Sequence, residues 1–136
     1  MARMTERMKE LFQNVRTAVL ATASQDGEAN AVPVGAKRVI DEETILISDQ
    51  FFRKTRANLE ANPHASVMFW EGHEGYQFKG KVTIETSGPL YEETAAWVQA
   101  LGDKAGFPLK SKGIVVMKIE AIYGLAPGPE AGRRLA

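Results

Sequence analysis

At 136 residues the chain has the length of one domain, and with 44% hydrophobic and 25% charged residues it falls among ordinary soluble globular proteins that can bury a core. Seventeen basic and seventeen acidic side chains cancel, so no bulk attraction to nucleic acid or to an anionic membrane is expected. The sequence contains no cysteine, which removes disulfides, thiolate nucleophiles, zinc ribbons and iron–sulfur ligation together; redox chemistry would have to come from a bound cofactor.

The polar opening MARMTERMKE lacks the apolar stretch of a secretory signal, and no run is long enough to span a bilayer, so a cytoplasmic location is expected. Met4, Met8, Leu11, Phe12 and Val15 recur at helical spacing and predict an amphipathic helix over 5–15 with Thr5 as its N-cap. TAVLATAS and EANAVPV flank Asp26-Gly27, a strong hairpin signal. KRVID and TILISD read as a second hairpin around Asp41, Glu42 and Glu43. A short helix follows in KTRANLEAN, with Leu59 facing inward and Asn62-Pro63 ending it. HASVMFW and YQFKGKVTIET are two further strands, separated by the loop EGHEG. Thr94, Trp97, Val98 and Leu101 mark a helix over 90–104, ended by Gly106 and Pro108, and GIVVMKIEAIYGL is the last strand. The tail APGPEAGRRLA, rich in proline and glycine, predicts an extended arm over 126–136 after a single domain over 1–125. Six or seven short strands joined mainly by hairpins point to an antiparallel barrel with flanking helices, because closing the sheet removes exposed edges.

Arg53, Lys54 and Arg56 crowd the start of the short helix. That is the positive end of its dipole, so the cations repel it unless an anion sits between them. Free backbone N–H groups, the Thr55 hydroxyl and Lys54 together make a phosphate site. A basic cluster of this kind is more often a set of solvated surface charges. Its place directly after TILISD, at the mouth of the expected barrel, favours the phosphate reading.

The run from AVLATASQDGEANAVPVGA through TILISDQFFRKTRANLEANPHASVMFW to YQFKGKVTIE resembles the FMN-binding split-barrel superfamily, the pyridoxamine 5′-phosphate oxidase-like proteins, and within it the small FMN-binding proteins. The resemblance covers about residues 6–124, and its most specific element is the pattern K-T-x-x-N-L-x-x-N-P one short loop after a hydrophobic strand. It implies a mainly β fold with flanking helices, a six-stranded antiparallel split β-barrel that forms a homodimer with FMN at the subunit interface. By that resemblance Lys54 and Thr55 would hold the FMN phosphate, assisted by Arg53 or Arg56. Val32, Pro33, Val34 and Gly35 would run along the isoalloxazine, and Ile47, Ser48 and Asp49 would lie beside the ring and ribityl chain. Gln77 and Lys79 would approach the flavin from another strand. Asn58 and Asn62 read equally well as structural, one serving local backbone and the other capping the helix before Pro63.

The departures also carry information. The vitamin B6 oxidases of this superfamily are longer and carry a substrate-phosphate site of arginines and a histidine near the C-terminus; here Arg133 and Arg134 have no histidine beside them. The expectation is therefore against pyridoxamine phosphate oxidation. No Gly-rich dinucleotide fingerprint is present. His73 with Glu71 and Glu74 would crowd three metal ligands into one short loop without a second histidine, a poor site. Two function classes remain open: a flavin oxidoreductase or electron-transfer protein with an unidentified small-molecule or protein redox partner, and a non-catalytic carrier of FMN, haem or a deazaflavin.

Overall fold

The computed structural model describes residues 2–136. The elements in chain order are α1 (Glu6–Asn14), β1 (Ala18–Ala23), β2 (Ala29–Val34), β3 (Lys37–Asp41), β4 (Thr44–Asp49), α2 (Lys54–Ala61), β5 (His64–Glu71), β6 (Glu74–Glu85), α3 (Pro89–Ala105) and β7 (Gly113–Gly124). All seven strands join one antiparallel sheet in the order β2-β1-β5-β6-β7-β4-β3.

The two edges of this sheet, β2 and β3, are consecutive in the chain and separated only by Gly35 and Ala36. Three peptide links span no more than about 11 Å, so the sheet must curl until its edges lie near one another. The result is a half-barrel that matches the split-barrel fold. Seven strands stand where the resemblance implies six; the difference lies in how the bent segment 29–41 is divided, because the link at Gly35-Ala36 interrupts the ladder.

Helix α1 plugs the interior. Thr5 caps it as expected: its Oγ1 accepts from the Met8 N–H at 3.1 Å, while the Met8 sulfur accepts from the Thr5 N–H at 3.5 Å. The apolar stripe of α1 puts Met8, Leu11 and Phe12 into the core. There Phe12 meets the Phe69 ring edge-on at 5.2 Å, and Phe69 meets Phe78 at 4.9 Å. Lys37, at the start of β3, is buried too; its Nζ donates to the Val15 carbonyl at 2.6 Å, at the C-terminal end of α1, and lies over the Phe12 ring. Burial pushes the Lys37 amine below the ordinary lysine range.

The other ends follow local chemistry. Gly106 closes α3 in the left-handed conformation, φ +85°, where a Cβ would be strained. β5 and β6 continue to Glu71 and Glu74 and leave Gly72 and His73 as a tight two-residue turn, φ +61° at Gly72. Residues 126–136 are exposed throughout. They fold back along β7, where the Leu135 N–H donates to Ile122 at 2.7 Å and Tyr123 bridges to Arg134. No described helix is long and apolar enough to cross a membrane.

Candidate functional site

The last residue of β4, Asp49, is fully buried and organises the turn after it. Its Oδ1 accepts from the Phe52 N–H at 2.9 Å, and its Oδ2 accepts from Arg56 Nη1 at 3.1 Å. Lys112 reaches the same carboxylate at 3.7 Å and donates to the Phe52 carbonyl at 2.8 Å. Residues 50–53 are thereby held in one path, and that path aims the start of α2 at a groove.

Arg53 occupies the N-cap position of α2, and no side chain caps the helix. The first amides of the helix therefore have no intrahelical acceptor. Arg53 and Lys54 are exposed and form no ion pair among the described residues. Arg56, by contrast, is tied to Asp49 and reaches Glu60 at 3.8 Å. Two cations and a row of unsatisfied N–H groups thus stand together at one end of the groove. That is a cradle for an anion.

The groove has a volume of about 680 Å³, within the range of pockets that take a cofactor-sized molecule. One wall is β2, with Val32, Pro33 and Val34, continued by Gly35 and Ala36. β2 is an edge strand paired only with β1, so alternate backbone N–H and C=O groups are left for a ligand, and Pro33 is tolerated where no ladder bond is lost. The floor is Ser48 with Gln50, Phe51 and Phe52, and the opposite wall is Leu101 of α3 with Leu109 beyond it. The anion end is Arg53, Lys54 and Thr55.

Of the thirteen residues expected at the site, eight line this groove: Val32, Pro33, Val34, Gly35, Ser48, Arg53, Lys54 and Thr55. Ser48 gives its hydroxyl proton to Ser111 Oγ at 2.8 Å. Five are placed elsewhere: Arg56 is held by Asp49 and Glu60, and Lys79 is exposed on β6. Ile47 lies in the core, and Asp49 acts beneath the groove through its ion pairs. Gln77 sits on β6 opposite Met68 and Tyr123; its neighbour Phe78 is in the core, so strand alternation turns Gln77 to the outer face.

Sequence reasoning missed Gln50, Phe51 and Phe52, although they fill the short gap between two recognised elements. It also missed Leu101 and Leu109 as groove residues, which reach the groove only because α3 folds over it. The buried Gln50 Oε1 has no hydrogen-bond partner among the described residues. His73 lies exposed in the β5–β6 turn, Glu74 is bound by Arg7 at 3.0 Å, and no described cluster of histidine and acidic residues could hold a metal ion.

The family model for pyridoxamine 5′-phosphate oxidase matches residues 4–126. The chain belongs to that family. It is 38% identical to the uncharacterized protein MJ0282 of Methanocaldococcus jannaschii over 138 aligned positions, covering 98% of this chain and 89% of the relative. Among solved structures it is similar to HupZ of Group A Streptococcus, at 30% identity and a TM-score of 0.80, covering 95% of this chain and 99% of that one. An FMN-binding protein of Syntrophomonas wolfei shares the fold at 20% identity and a TM-score of 0.75, covering 88% of this chain and 84% of that one. Family and fold set the class of cofactor to consider; the substrate has to be argued from the site.

Proposed function

We propose that this chain is an FMN-binding flavoprotein of the cytoplasm, acting as an oxidoreductase or electron-transfer protein with its flavin in the groove between β2 and α2. The observation that carries the reading is the division of that groove into an anion end, with Arg53, Lys54 and free helix amides, and an apolar, backbone-edged remainder. FMN has the same division. Its phosphate would be held by Arg53, Lys54 and the first turn of α2, and its planar ring would lie along Val32, Pro33, Val34 and Gly35. The free edge of β2 supplies backbone donors and acceptors for the polar rim of the ring.

Bound there, FMN supplies reversible one- or two-electron transfer, and the protein's part is to bind, orient and exclude water. Within one subunit the described groove lining contains no His, Asp, Glu, Tyr or Lys other than Lys54, so a proton at the ring would have to come from the substrate, from solvent or from the other subunit. A haem carrier is the alternative, and it would need an iron ligand from outside the described lining of one subunit. The lack of an acid or base equally suits a carrier of FMN or a deazaflavin. Reduction of the bound flavin by NADH, followed by reoxidation with an added acceptor, would support the redox reading; a flavin that is bound but inert to reductant would support the carrier.

A homodimer completes the reading. One row across the outer face of the sheet is Pro33, Val19, Met68, Gln77 and Tyr123. The next row is Ala31, Ala21, Ser66 and Lys79. A face of mostly small and apolar side chains is suited to packing against its own copy. Gln77 and Lys79, turned away from their own groove, would then face the flavin of the other subunit.

A further inference from the structure

Helix α2 carries the anion end of the groove, yet it has little to hold it in place. It buries only Thr55 and Leu59, and its N-terminus has no side-chain cap. A polar link supplies the rest. The Asn30 carboxamide nitrogen donates to Thr22 Oγ1 at 3.1 Å and to Thr55 Oγ1 at 3.0 Å. Asn58, one turn further along α2, donates to the same Thr22 oxygen at 3.0 Å. Both threonines are buried, at 6% and 1% exposure.

We infer that Asn30 is a positioning residue that fixes the anion end of the groove relative to its ring-binding wall; the inference rests on the FMN reading above. A carboxamide is planar and its two N–H bonds diverge at a fixed angle, so bridging two hydroxyls sets their separation. One hydroxyl belongs to β1 and the other to the first turn of α2, beside Lys54. Asn30 itself stands on β2, two residues before Val32 on the same face. The strand that would lie along the ring and the helix that would hold the phosphate are thus joined through one side chain. A ligand of fixed length between ring and phosphate needs that span preset, and loosening it makes binding order the helix. The ion pair of Asp49 with Arg56 ties the start of α2 to the end of β4 from the other side, and Asn58 keeps its bond to Thr22, so losing Asn30 loosens the position of Thr55 and Lys54 without releasing the helix.

The test compares dissociation constants for FMN and riboflavin, by flavin fluorescence, in the wild type, Asn30→Leu, Thr55→Val and the double variant, alongside the melting temperature of each apo-protein. Asn30→Ala is run in parallel, since it removes the same donors without added bulk. The wild type should prefer FMN, and Asn30→Leu should cut that preference about tenfold, the equivalent of one charge-assisted hydrogen bond. Riboflavin affinity should stay within about threefold, since ring binding does not depend on the helix. Thr55→Val cuts the same link from its other end and also removes a hydroxyl from the anion end, so the double variant should be no worse than Thr55→Val alone. A variant that folds and keeps the wild-type preference overturns the inference alone, as do effects of Asn30→Leu and Thr55→Val that multiply. A wild type indifferent to the phosphate overturns the FMN reading and the inference together.

Discussion

Arg53, Lys54 and Arg56 lie within one turn of the chain and have different fates. Arg56 is neutralised by Asp49 at 3.1 Å, which answers part of the repulsion expected at the helix start. Arg53 and Lys54 have no such partner among the described residues, and in the proposed function they hold the phosphate. Lys54→Ala should therefore weaken FMN binding by about tenfold or more and leave the melting temperature of the apo-protein almost unchanged, because an exposed side chain without an ion pair contributes little to the fold. Titration of the variant with FMN, beside a thermal melt, checks both halves. Lys37 makes the opposite case: it is buried, it donates to the Val15 carbonyl, and burial lowers its pKa. Between that lowered value and the ordinary value near 10.4 the unfolded chain binds more protons than the folded one, so stability rises with pH across that window and the full cost of burying the charge is felt below it. Urea midpoints of the wild type and Lys37→Met should accordingly shift in the wild type's favour between pH 7 and pH 10. A difference that stays constant with pH would show that burial of the charge has no such cost.

At the scale of elements, the wall of the groove formed by Leu101 and Leu109 depends on a glycine in the last turn of α3. A Cβ on Gly102 would come to 2.7 Å from Leu109 N and 2.8 Å from Phe107 O. Helix propensity alone would make alanine the better residue by about 1 kcal/mol, but the close approach reverses that sign. Gly102→Ala should destabilise the protein by roughly 1–3 kcal/mol and weaken flavin binding, as read by denaturant melts and FMN titration. A stabilised variant would mean that the 107–109 segment moves aside freely. Gly80 is the analogous position in the sheet, at a register shift between β6 and β7, where a Cβ would overlap the Lys118 carbonyl. Such approaches explain why the fold was more legible in the sequence than the site. α1 with its Thr5 cap, both early hairpins and α3 with Gly106 follow from periodicity and turn chemistry, which act over a few residues. The groove joins residues 32–36, 48, 50–55, 101 and 109, and only 32–35, 48 and 53–55 carried a local pattern. Asp49 and Ile47 sit on a strand buried at every position, so alternation gave no sign of which side chains reach the groove. Nor could the sequence reveal that Asn30 on β2 and Thr55 on α2 meet.

For the whole molecule, the curled sheet presents two faces with different work. The inner face takes α1 and the aromatic cluster of Phe12, Phe69 and Phe78. The outer face carries Val19, Ala21 and Met68 on β1 and β5 and, in the proposed dimer, meets a second copy there. Met68→Asp would place a charge in the middle of that contact, where an unpaired buried carboxylate costs several kcal/mol. Light scattering should then show a dimer for the wild type and a monomer for the variant, with bound flavin lost on dissociation; a monomeric wild type that keeps its flavin would refute a shared site. The central claim, that the groove is built for a flavin carrying a phosphate, is tested most directly by titrating the wild-type apo-protein with FMN and with riboflavin under identical conditions. Binding of FMN at least tenfold tighter than riboflavin is the predicted result, corresponding to one or more charged contacts of about 1.5–3 kcal/mol at the start of α2. Equal dissociation constants for the two flavins would contradict it.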